Sequence, residues 1–484
     1  MGKKKSVVLM IILTIVMVAI SVITLVPFPI LGTVQSFNPT VLQFDLGAEF
    51  DGGYYAYYYP EGVKTETAFI QDGDSADDYV KHGSLYLSKD EKYNLIDEKG
   101  NVNEYFEEEF AKATAEITKR FETRGYTDYR VSVVDDYAIR VELPASDALA
   151  NATLTSYYFT GGVTLTKGTT SSEEVEVVDA LKAEDAKMTD YISGFSLANN
   201  YKWSYLKINL TQKGKDLMQS LKASLSNSNT SSSANVLYLQ IGDEKLTAIY
   251  KDSITENDVR VMFVESNPAV VQTYEVLLNS ALHHSFEVDF TASEIATFDA
   301  VYGDNALTLL YIALGVTLLA IMVAGVVTMG RFGIVNVYAN MTYLLIVANF
   351  FAFITGNSVF EFSLGSAFIF LLGFVLFNVI QHYIYRAIKA EFSLGKTIES
   401  SVKGAYKKTL WHVIDVYVVA LLGALALILG GAGLATLAWQ SVICILSAAF
   451  CNLLWARAIN FVFLSASKDK YKYFRFVRED DDDE

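Results

Sequence analysis

Residues 6–28 of the chain are SVVLMIILTIVMVAISVITLVPF, a run without a charged side chain. A helix of about 20 apolar residues crosses the roughly 30 Å hydrocarbon core of a bilayer, where polar backbone cannot remain unpaired. Five more runs of this kind follow, all between residues 306 and 465. The spacing predicts a multi-pass α-helical membrane protein with six spans in a one-plus-five arrangement, and one large domain between the first span and the second.

Lysine and arginine residues cluster at one end of the predicted spans. They precede the first span at residues 3–5, and they follow the second at Arg331, the fourth at residues 386–408 and the sixth at residues 468–478. If the spans alternate in direction, all four segments fall on one side, as the excess of positive charge in cytoplasmic loops requires. The sequence therefore predicts that both termini are cytoplasmic and that residues 30–305 are extracytoplasmic. The first apolar run exceeds the roughly 7–15 residues of a signal-peptide core, so we expect it to stay as an anchor.

The predicted external segment carries most of the negative charge. Residues 30–305 contain 44 acidic and 22 basic residues, whereas the rest of the chain contains 11 acidic and 16 basic residues. An acidic surface disfavours nucleic acid as a partner and favours solubility outside the membrane. Both cysteines, Cys444 and Cys451, lie in the last predicted span, so we expect no disulfide in this segment.

The first part of the external segment has the pattern of a ferredoxin-like sandwich. Apolar and aromatic residues at helical spacing predict a long helix over residues 103–124. Alternating runs predict strands at residues 41–44, 54–59, 131–134 and 138–143. The order strand, helix, strand, strand is typical of ferredoxin-like folds, so we expect a large α+β domain built from such subdomains.

A second part is predicted to be inserted into the first. Its expected elements are a strand at 205–210, a helix at 213–225, a hairpin of 236–241 and 245–250, and a helix at 270–281. A strand at residues 285–290 is expected to return to the first part.

These expectations divide the chain into regions. The predicted regions are the cytoplasmic N-terminus with the first span (1–29), the external α+β domain (30–305), the five-helix bundle (306–465) and a cytoplasmic tail, first basic and then acidic (466–484). Within the external domain we expect a base at about 40–160 and 285–305, and an inserted head at about 165–284.

Two glycine pairs stand at predicted connections. Because glycine permits positive φ and close approach of two backbones, Gly52-Gly53 is expected to form a tight connection into the following strand. By the same argument Gly161-Gly162 is expected to separate the base from the head and to act as a hinge.

Several short stretches resemble one known family. They are FDLGAEFDGG at 44–53, RGY at 124–126, RVELP at 140–144, AIKAEFSLGKT at 387–397 and VID at 413–415. In this order, and with the one-plus-five topology, these stretches resemble SecD, the accessory membrane subunit of the bacterial Sec protein translocase. SecD belongs to the SecD/SecF family, which is related to the resistance-nodulation-division (RND) transporters.

The resemblance implies a function in late-stage protein export across the bacterial cytoplasmic membrane. The external domain would bind the emerging unfolded polypeptide, and the proton motive force would drive a conformational cycle in the bundle. The implied partners are a SecF-like subunit on a separate chain, the SecYEG channel, unfolded exported polypeptides and membrane lipid. No cofactor is implied.

The chain departs from the family in its fourth span. The family carries an Asp there, within a Gly-x-x-x-Asp-Ala-Asn pattern, whereas residues 373–382 are GFVLFNVIQH, so this chain lacks the Asp. Asn378 stands close to that position, and it can form hydrogen bonds but cannot titrate. His382, one helical turn further, titrates near neutral pH, and Asp415 could pair with a neighbouring helix. The candidate proton-relay residues are therefore Asn378, His382 and Asp415, with an interfacial histidine and a solvated helix end as the plainer interpretations of the last two.

The sequence favours a protein that is not an enzyme. It has no Walker loop, no His or Cys cluster at metal-ligand spacing and no nucleophile elbow, so we expect no catalytic residue, no metal and no cofactor. Two alternatives to the export function stay open. One is a component of an RND-related transporter, and the other is a membrane-anchored protein that binds an envelope partner without transport activity.

Overall fold

The computed structural model describes residues 3–26, 28–29, 36–37, 39–40, 43–147, 149–171, 175–183, 186–200, 203–228, 234–263, 267–303, 305–355, 361–430 and 432–466. The chain forms two compact units. One contains Met1–Gly52 and Asp299–Glu484 and is called the helical unit; the other, Gly53–Phe298, is called the β-rich domain. Most of the predicted basic and acidic tail lies outside the described residues.

The helices, in chain order, are α1 (Lys3–Leu25), α2 (Ala48–Asp51), α3 (Glu66–Asp72), α4 (Glu104–Arg124), α5 (Ala150–Leu154), α6 (Gln212–Lys222), α7 (Pro268–His283), α8 (Ala306–Met329), α9 (Arg331–Thr355), α10 (Leu364–Ser393), α11 (Ile398–Ala426), α12 (Ala432–Phe450) and α13 (Ala456–Ala466). A 3₁₀ turn, Leu427–Gly430, extends α11, and a π-helical turn, Cys451–Trp455, joins α12 to α13.

The strands, in chain order, are β1 (Phe28–Pro29), β2 (Ser36–Phe37), β3 (Gly53–Pro60), β4 (Val63–Thr65), β5 (Tyr79–His82), β6 (Leu85–Ser88), β7 (Arg130–Val134), β8 (Ala138–Pro144), β9 (Val163–Thr169), β10 (Glu176–Val177), β11 (Ile192–Asn200), β12 (Trp203–Leu210), β13 (Asn235–Ile241), β14 (Glu244–Ile249), β15 (Asp258–Val261), β16 (Phe290–Ala292) and β17 (Ala296–Phe298).

The helical unit contains six helices that are long and apolar enough to cross a membrane. They are Lys4–Leu25, Ala306–Met329, Arg331–Phe353, Leu364–Ser393, Ile398–Gly430 and Leu434–Leu464. Helix α10 packs against α8, α9, α11 and α12, and α1 packs against α9 and α13. The rings of Tyr343 and Phe377 stack between α9 and α10, with their centroids 5.6 Å apart. The predicted one-plus-five arrangement of six spans is confirmed.

The principal sheet of the β-rich domain has the ferredoxin-like order. Its strands lie in the order β16-β3-β8-β7, which in chain order is fourth, first, third, second. Between β3 and β7 the chain forms a small sheet of order β4-β6-β5 and then helix α4, and α7, which precedes β16, packs against α4. The apolar face of α4 closes the core with side chains such as Phe106, Ile117 and Phe121, which are at most 2% exposed. The α+β fold of the domain follows the prediction.

Local signals fixed the ends of the best predicted elements. The Asn103 side chain accepts a hydrogen bond from the Tyr105 amide at the start of α4, and Gly125 ends the helix at φ 92°. Asp135 and Asp136 turn the β7–β8 hairpin with φ of 51° and 67°, a conformation that aspartate tolerates better than most residues. The predicted helix at 103–124 and the hairpin around this turn are confirmed.

The chain between β8 and α7 builds two further sheets. Their strand orders are β10-β9-β13-β14 and β11-β12-β15. The predicted strand at 205–210, helix at 213–225, hairpin at 236–250 and helix at 270–281 are confirmed as β12, α6, β13–β14 and α7. Helix α7 packs against β11 as well as α4, so the division into base and head stays a prediction.

Two strands were predicted at the wrong positions along the chain. Residues 43 and 44 form no strand, and the short helix α2 precedes β3 instead; residues 41 and 42 lie outside the described residues. The returning strand begins only at Phe290, because the preceding residues form the crossover from α7. It does pair with β3, as Phe290 lies opposite Pro60.

Candidate functional site

Amide side chains are buried at several depths inside the helical bundle. The buried amide residues are Asn336, Asn340, Gln381, Gln440, Asn452 and Asn460, each at most 2% exposed. An amide in an apolar environment is costly unless it is hydrogen-bonded, and in membranes such side chains commonly join helices. Asn336, Asn340, Gln381 and Asn452, together with Asn378 and Tyr417, bond side chains of other spans and are called the polar layer. Both polar atoms of the Gln440 side chain lack a hydrogen-bond partner among the described residues.

Asn378 stands at the centre of one amide cluster. Its Oδ1 accepts hydrogen bonds from Nδ2 of Asn336 at 3.0 Å and from Nδ2 of Asn340 at 3.1 Å. Its own Nδ2 donates to Oδ1 of Asn340 at 2.8 Å and to the Phe374 carbonyl at 2.9 Å. An amide has two donor hydrogens and two acceptor lone pairs, so all four positions of Asn378 are occupied.

A second cluster continues the layer into the last span. Nε2 of Gln381 donates to Oδ1 of Asn452 at 2.5 Å, and Nδ2 of Asn452 bonds the Tyr417 hydroxyl. Asn452 belongs to the π-helical turn Cys451–Trp455, and such turns within α-helices are frequent at functional sites. Because Gln381 follows Asn378 by one helical turn, the two clusters together connect α9, α10, α11 and the last span.

The residues that form this layer are all uncharged. The Glu391 carboxylate lies at the end of α10. It pairs with Lys396, and one of its oxygens lies 3.6 Å from Nζ of Lys408. Asn, Gln and Tyr side chains donate and accept hydrogen bonds, but amides do not titrate. The layer can therefore orient helices and bind polar groups, but its amides cannot carry a proton as a carboxylate does.

His382 lies beside the basic end of α10. It is half-buried, and its Nε2 accepts a hydrogen bond from Nε of Arg386 at 3.2 Å. An accepting ring nitrogen carries no proton, so this arrangement holds a neutral imidazole.

Asp415 lies on the exposed surface of α11. In the described part of the chain, no hydrogen bond joins Asp415, His382 and Asn378. The structure thus brings Asn378 together with buried amides that sequence analysis did not single out. The proton-relay role of the three candidates stays a prediction.

The first glycine pair lies at the start of β3. Gly52 has φ 69°, a conformation that favours glycine. A Cβ on Gly53 would collide with the Leu143 carbonyl on the neighbouring strand and lie 2.8 Å from the Phe298 ring. Only a residue without a side chain fits there, so the close backbone approach is built into the sheet.

The second glycine pair lies against the β13–β14 turn. A Cβ on Gly161 would lie 2.5 Å from Cα of Gly242 and 2.6 Å from its nitrogen. The amide of Gly242 donates to the Gly162 carbonyl at 3.1 Å. Two backbones therefore touch at Gly161. The structure shows a tight contact at this pair, and its predicted role as a hinge stays a prediction.

A buried arginine braces the chain just before this pair. Nη1 of Arg120 donates to the carbonyls of Tyr157 at 2.8 Å and Phe159 at 2.6 Å, and Nε donates to Oγ of Ser280 at 2.8 Å. Burial lowers the pKa of Arg120 to about 10, and nearby Glu116 opposes that shift. The side chain ties α4, α7 and the segment leading to Gly161 into one support.

Residues of the stretch 44–53 contact the segment before α10. The amide of Phe362 donates to the Asp45 carbonyl at 2.6 Å, and the rings of Phe44 and Phe362 stack with centroids 5.1 Å apart. The Glu49 carboxylate accepts a hydrogen bond from the Leu364 amide in the first turn of α10, where negative charge is favourable. This stretch is therefore part of the packing of the helical unit.

Together the two units define a class of protein: a six-span membrane bundle with an uncharged polar layer, and a β-rich domain inserted after the first span. No protein-family model and no curated protein matches the sequence. The fold does match solved structures of SecDF.

A crystal structure of SecDF in the super-membrane-facing form is similar to this chain with a TM-score of 0.57 and 13% identity. The match covers 95% of this chain and 58% of that chain, less than two thirds of its length. A crystal structure of SecDF from Thermus thermophilus, a translocon-associated membrane protein, matches with a TM-score of 0.43 and 14% identity over 97% of this chain and 60% of that one. The likeness to the first of these structures, at 13% identity, shows a SecDF-like fold and no more than the fold.

Proposed function

We propose that the protein is a non-enzymatic, SecD-like accessory subunit of protein translocation. The observation that carries the proposal is the match of 95% of the chain, spans and β-rich domain together, to a SecDF structure. A fold alone does not determine function. Besides the fold, this chain also carries the short stretches of sequence that resemble SecD. The proposal places the protein in a bacterial cytoplasmic membrane, with residues 30–305 outside.

The β-rich domain is proposed to bind the emerging unfolded polypeptide during late-stage export. Its strongly acidic composition and continuous core suit a soluble domain that works beside a membrane. The proposed partners are the SecYEG channel and a SecF-like subunit.

Coupling to the proton motive force is the finer part of the proposal. Asn378 has all its hydrogen-bonding positions occupied and does not titrate, so it cannot be the group that changes charge. The titratable candidates are His382 and Asp415. At equal amounts of folded protein in the membrane, we expect His382→Ala to slow export more than Asn378→Ala does, and equal, negligible effects of both would contradict a proton route through this part of α10.

The export function is tested by depletion of the protein in its own cells. Pulse-labelled secreted proteins should reach the outside more slowly, with partly translocated chains accumulating at the membrane, and re-expression of the full-length chain should restore the rate. Unchanged export kinetics in depleted cells would contradict the proposal. If export were unchanged while efflux of small solutes fell, the transporter interpretation would replace it.

A further inference from the structure

Strand β11 forms an open edge of the β-rich domain. It borders the sheet β11-β12-β15, and at nine residues it is the longest edge strand in the described part of the domain. Proteins commonly block such edges with proline or charged side chains, and the sequence of β11, ISGFSLANN, contains neither. An edge strand presents unpaired N–H and C=O groups, so β11 can accept one more strand.

The register of β11 shows which backbone groups point away from the sheet. Asn200 and Trp203 pair across a two-residue connection to β12, a position at which two residues exchange hydrogen bonds. Because the direction of these groups alternates along a strand, those of Phe195, Leu197 and Asn199 point to the open side. In the described part of the chain, the outward N–H and C=O groups of Leu197 and Asn199 make no hydrogen bond.

An amide side chain already occupies the first of these outward positions. The Phe195 amide donates to Oδ1 of Asn279 at 2.9 Å, and Nδ2 of Asn279 donates to the Phe195 carbonyl at 2.9 Å. A carboxamide has the same donor and acceptor groups as a peptide bond, so Asn279 bonds Phe195 as a neighbouring strand does. The open positions at Leu197 and Asn199 continue this row of hydrogen-bonding groups.

A cleft between α4 and α7 reaches the same edge. It has a volume of about 340 Å³, and Asn279, which bonds β11, is part of its lining. The lining also carries Glu116, Lys119 and Glu275, so charges of both signs face the cleft. The cleft can therefore hold side chains of an added strand without selecting for one sign of charge.

We propose that β11 binds an extended polypeptide segment by strand addition at Leu197 and Asn199. The backbone of the segment pairs with the outward groups of these two residues and extends the row that Asn279 begins. Binding of this kind uses main-chain hydrogen bonds, so it requires no particular side chain and excludes segments whose backbone is already paired. Only the identity of the segment as an exported polypeptide rests on the proposed function.

The first test uses the purified full-length protein in mild detergent and an acetylated peptide of six residues, alternating serine and valine. Hydrogen–deuterium exchange measures the protection of backbone amides as peptide is added. We expect slower exchange at residues 195–200 and unchanged exchange at β15, the opposite edge of the same sheet.

N-methylation of the peptide separates backbone pairing from side-chain contact. An added strand presents the N–H groups of alternate residues to β11, so a peptide methylated at its second, fourth and sixth residues keeps one free row. A peptide methylated at its third, fourth and fifth residues loses at least one of the two N–H donors in every register. We expect the second peptide to bind about tenfold more weakly or worse, and the first to bind like the unmethylated peptide.

A variant of the protein tests the same hydrogen bonds from the other side. Asn199→Pro removes an outward N–H, a change that edge strands tolerate, and should weaken binding of the peptide about tenfold. Arg260→Pro is the matched control, because Arg260 has the corresponding outward position on β15. It should leave peptide binding unchanged, and unfolding temperatures of both variants report whether they fold.

The proposal is overturned if the peptide does not protect residues 195–200, if the two methylated peptides bind equally, or if a folded Asn199→Pro variant binds like the unchanged protein. Protection of residues 195–200 that rises with protein concentration alone would assign the edge to a second copy of this chain and overturn it as well. Peptide binding at β11 with unchanged export in depleted cells would contradict the proposed function and leave this site intact. Slowed export without protection at β11 would contradict this inference alone.

Discussion

At the scale of single residues, Asn378 shows how the bundle accommodates a polar side chain by hydrogen bonding. All four hydrogen-bonding positions of its amide are occupied by Asn336, Asn340 and the Phe374 carbonyl. The side chain therefore joins α9 to α10. A carboxylate at that place would lose a donor and gain a charge in a low-dielectric region. The chain therefore combines a SecDF-like fold with a neutral polar layer.

Asn378→Ala is expected to destabilise the helical unit. Removing this amide leaves the side chains of Asn336 and Asn340 without their shared partner, and a buried unpaired polar group costs about 1–3 kcal/mol. Unfolding of the full-length protein in mild detergent with increasing denaturant measures the change. Val379→Ala is the matched control, because Val379 is 60% exposed on the same helix. Equal loss of stability in the two variants would contradict the role of the amide cluster.

At the scale of elements, the contact between Gly161 and the β13–β14 turn joins two parts of the β-rich domain. The Gly161 backbone lies against Gly242, and Arg120 holds the carbonyls of the preceding segment. Thr160 adds a hydrogen bond from Oγ1 to the Val288 carbonyl at 2.6 Å, so the outgoing and the returning chain are tied together.

Gly161→Ala is expected to destabilise the β-rich domain by about 1–3 kcal/mol, the usual cost of overpacking. The new Cβ would meet backbone atoms of Gly242, which cannot move aside like the end of a side chain. Gly162→Ala is the control, since its Cβ would lie 3.5 Å from Cβ of Ser285, an ordinary contact. The stability of each variant is measured by heating the purified full-length protein and recording the temperature at which the β-rich domain becomes sensitive to protease. The account of this contact fails if Gly162→Ala is as damaging as Gly161→Ala.

Elements with strong periodicity and clear ends could be predicted, and elements without them could not. Helix α4 has a cap at Asn103, an apolar stripe and a stop at Gly125, whereas β11 (ISGFSLANN) is too polar to show a strand pattern. The amide cluster was missed for another reason. Asn336 and Asn340 stand four residues apart in an apolar span, a visible signal, but their meeting with Asn378 depends on how α9 packs on α10.

At the scale of the whole molecule, most of the architecture could be predicted from two features of the sequence. These are the length and spacing of the apolar runs and the distribution of charge. Six apolar helices and one inserted β-rich domain follow from the spacing of apolar runs, and the match to SecDF agrees with that order. The predicted orientation rests on lysine and arginine positions alone. Membrane topology is therefore the claim on which export, partners and the polar layer all depend.

Single introduced cysteines test this topology most directly. The two native cysteines, Cys444 and Cys451, are buried, so they give little background. Exposed positions suit the labels, Ser220 on α6 and Lys403 on α11. In intact cells, a membrane-impermeant thiol reagent should modify Ser220→Cys and leave Lys403→Cys unmodified until the membrane is permeabilised. Modification of Lys403→Cys in intact cells, with Ser220→Cys protected, would mean that the domain lies on the other side and would contradict the account.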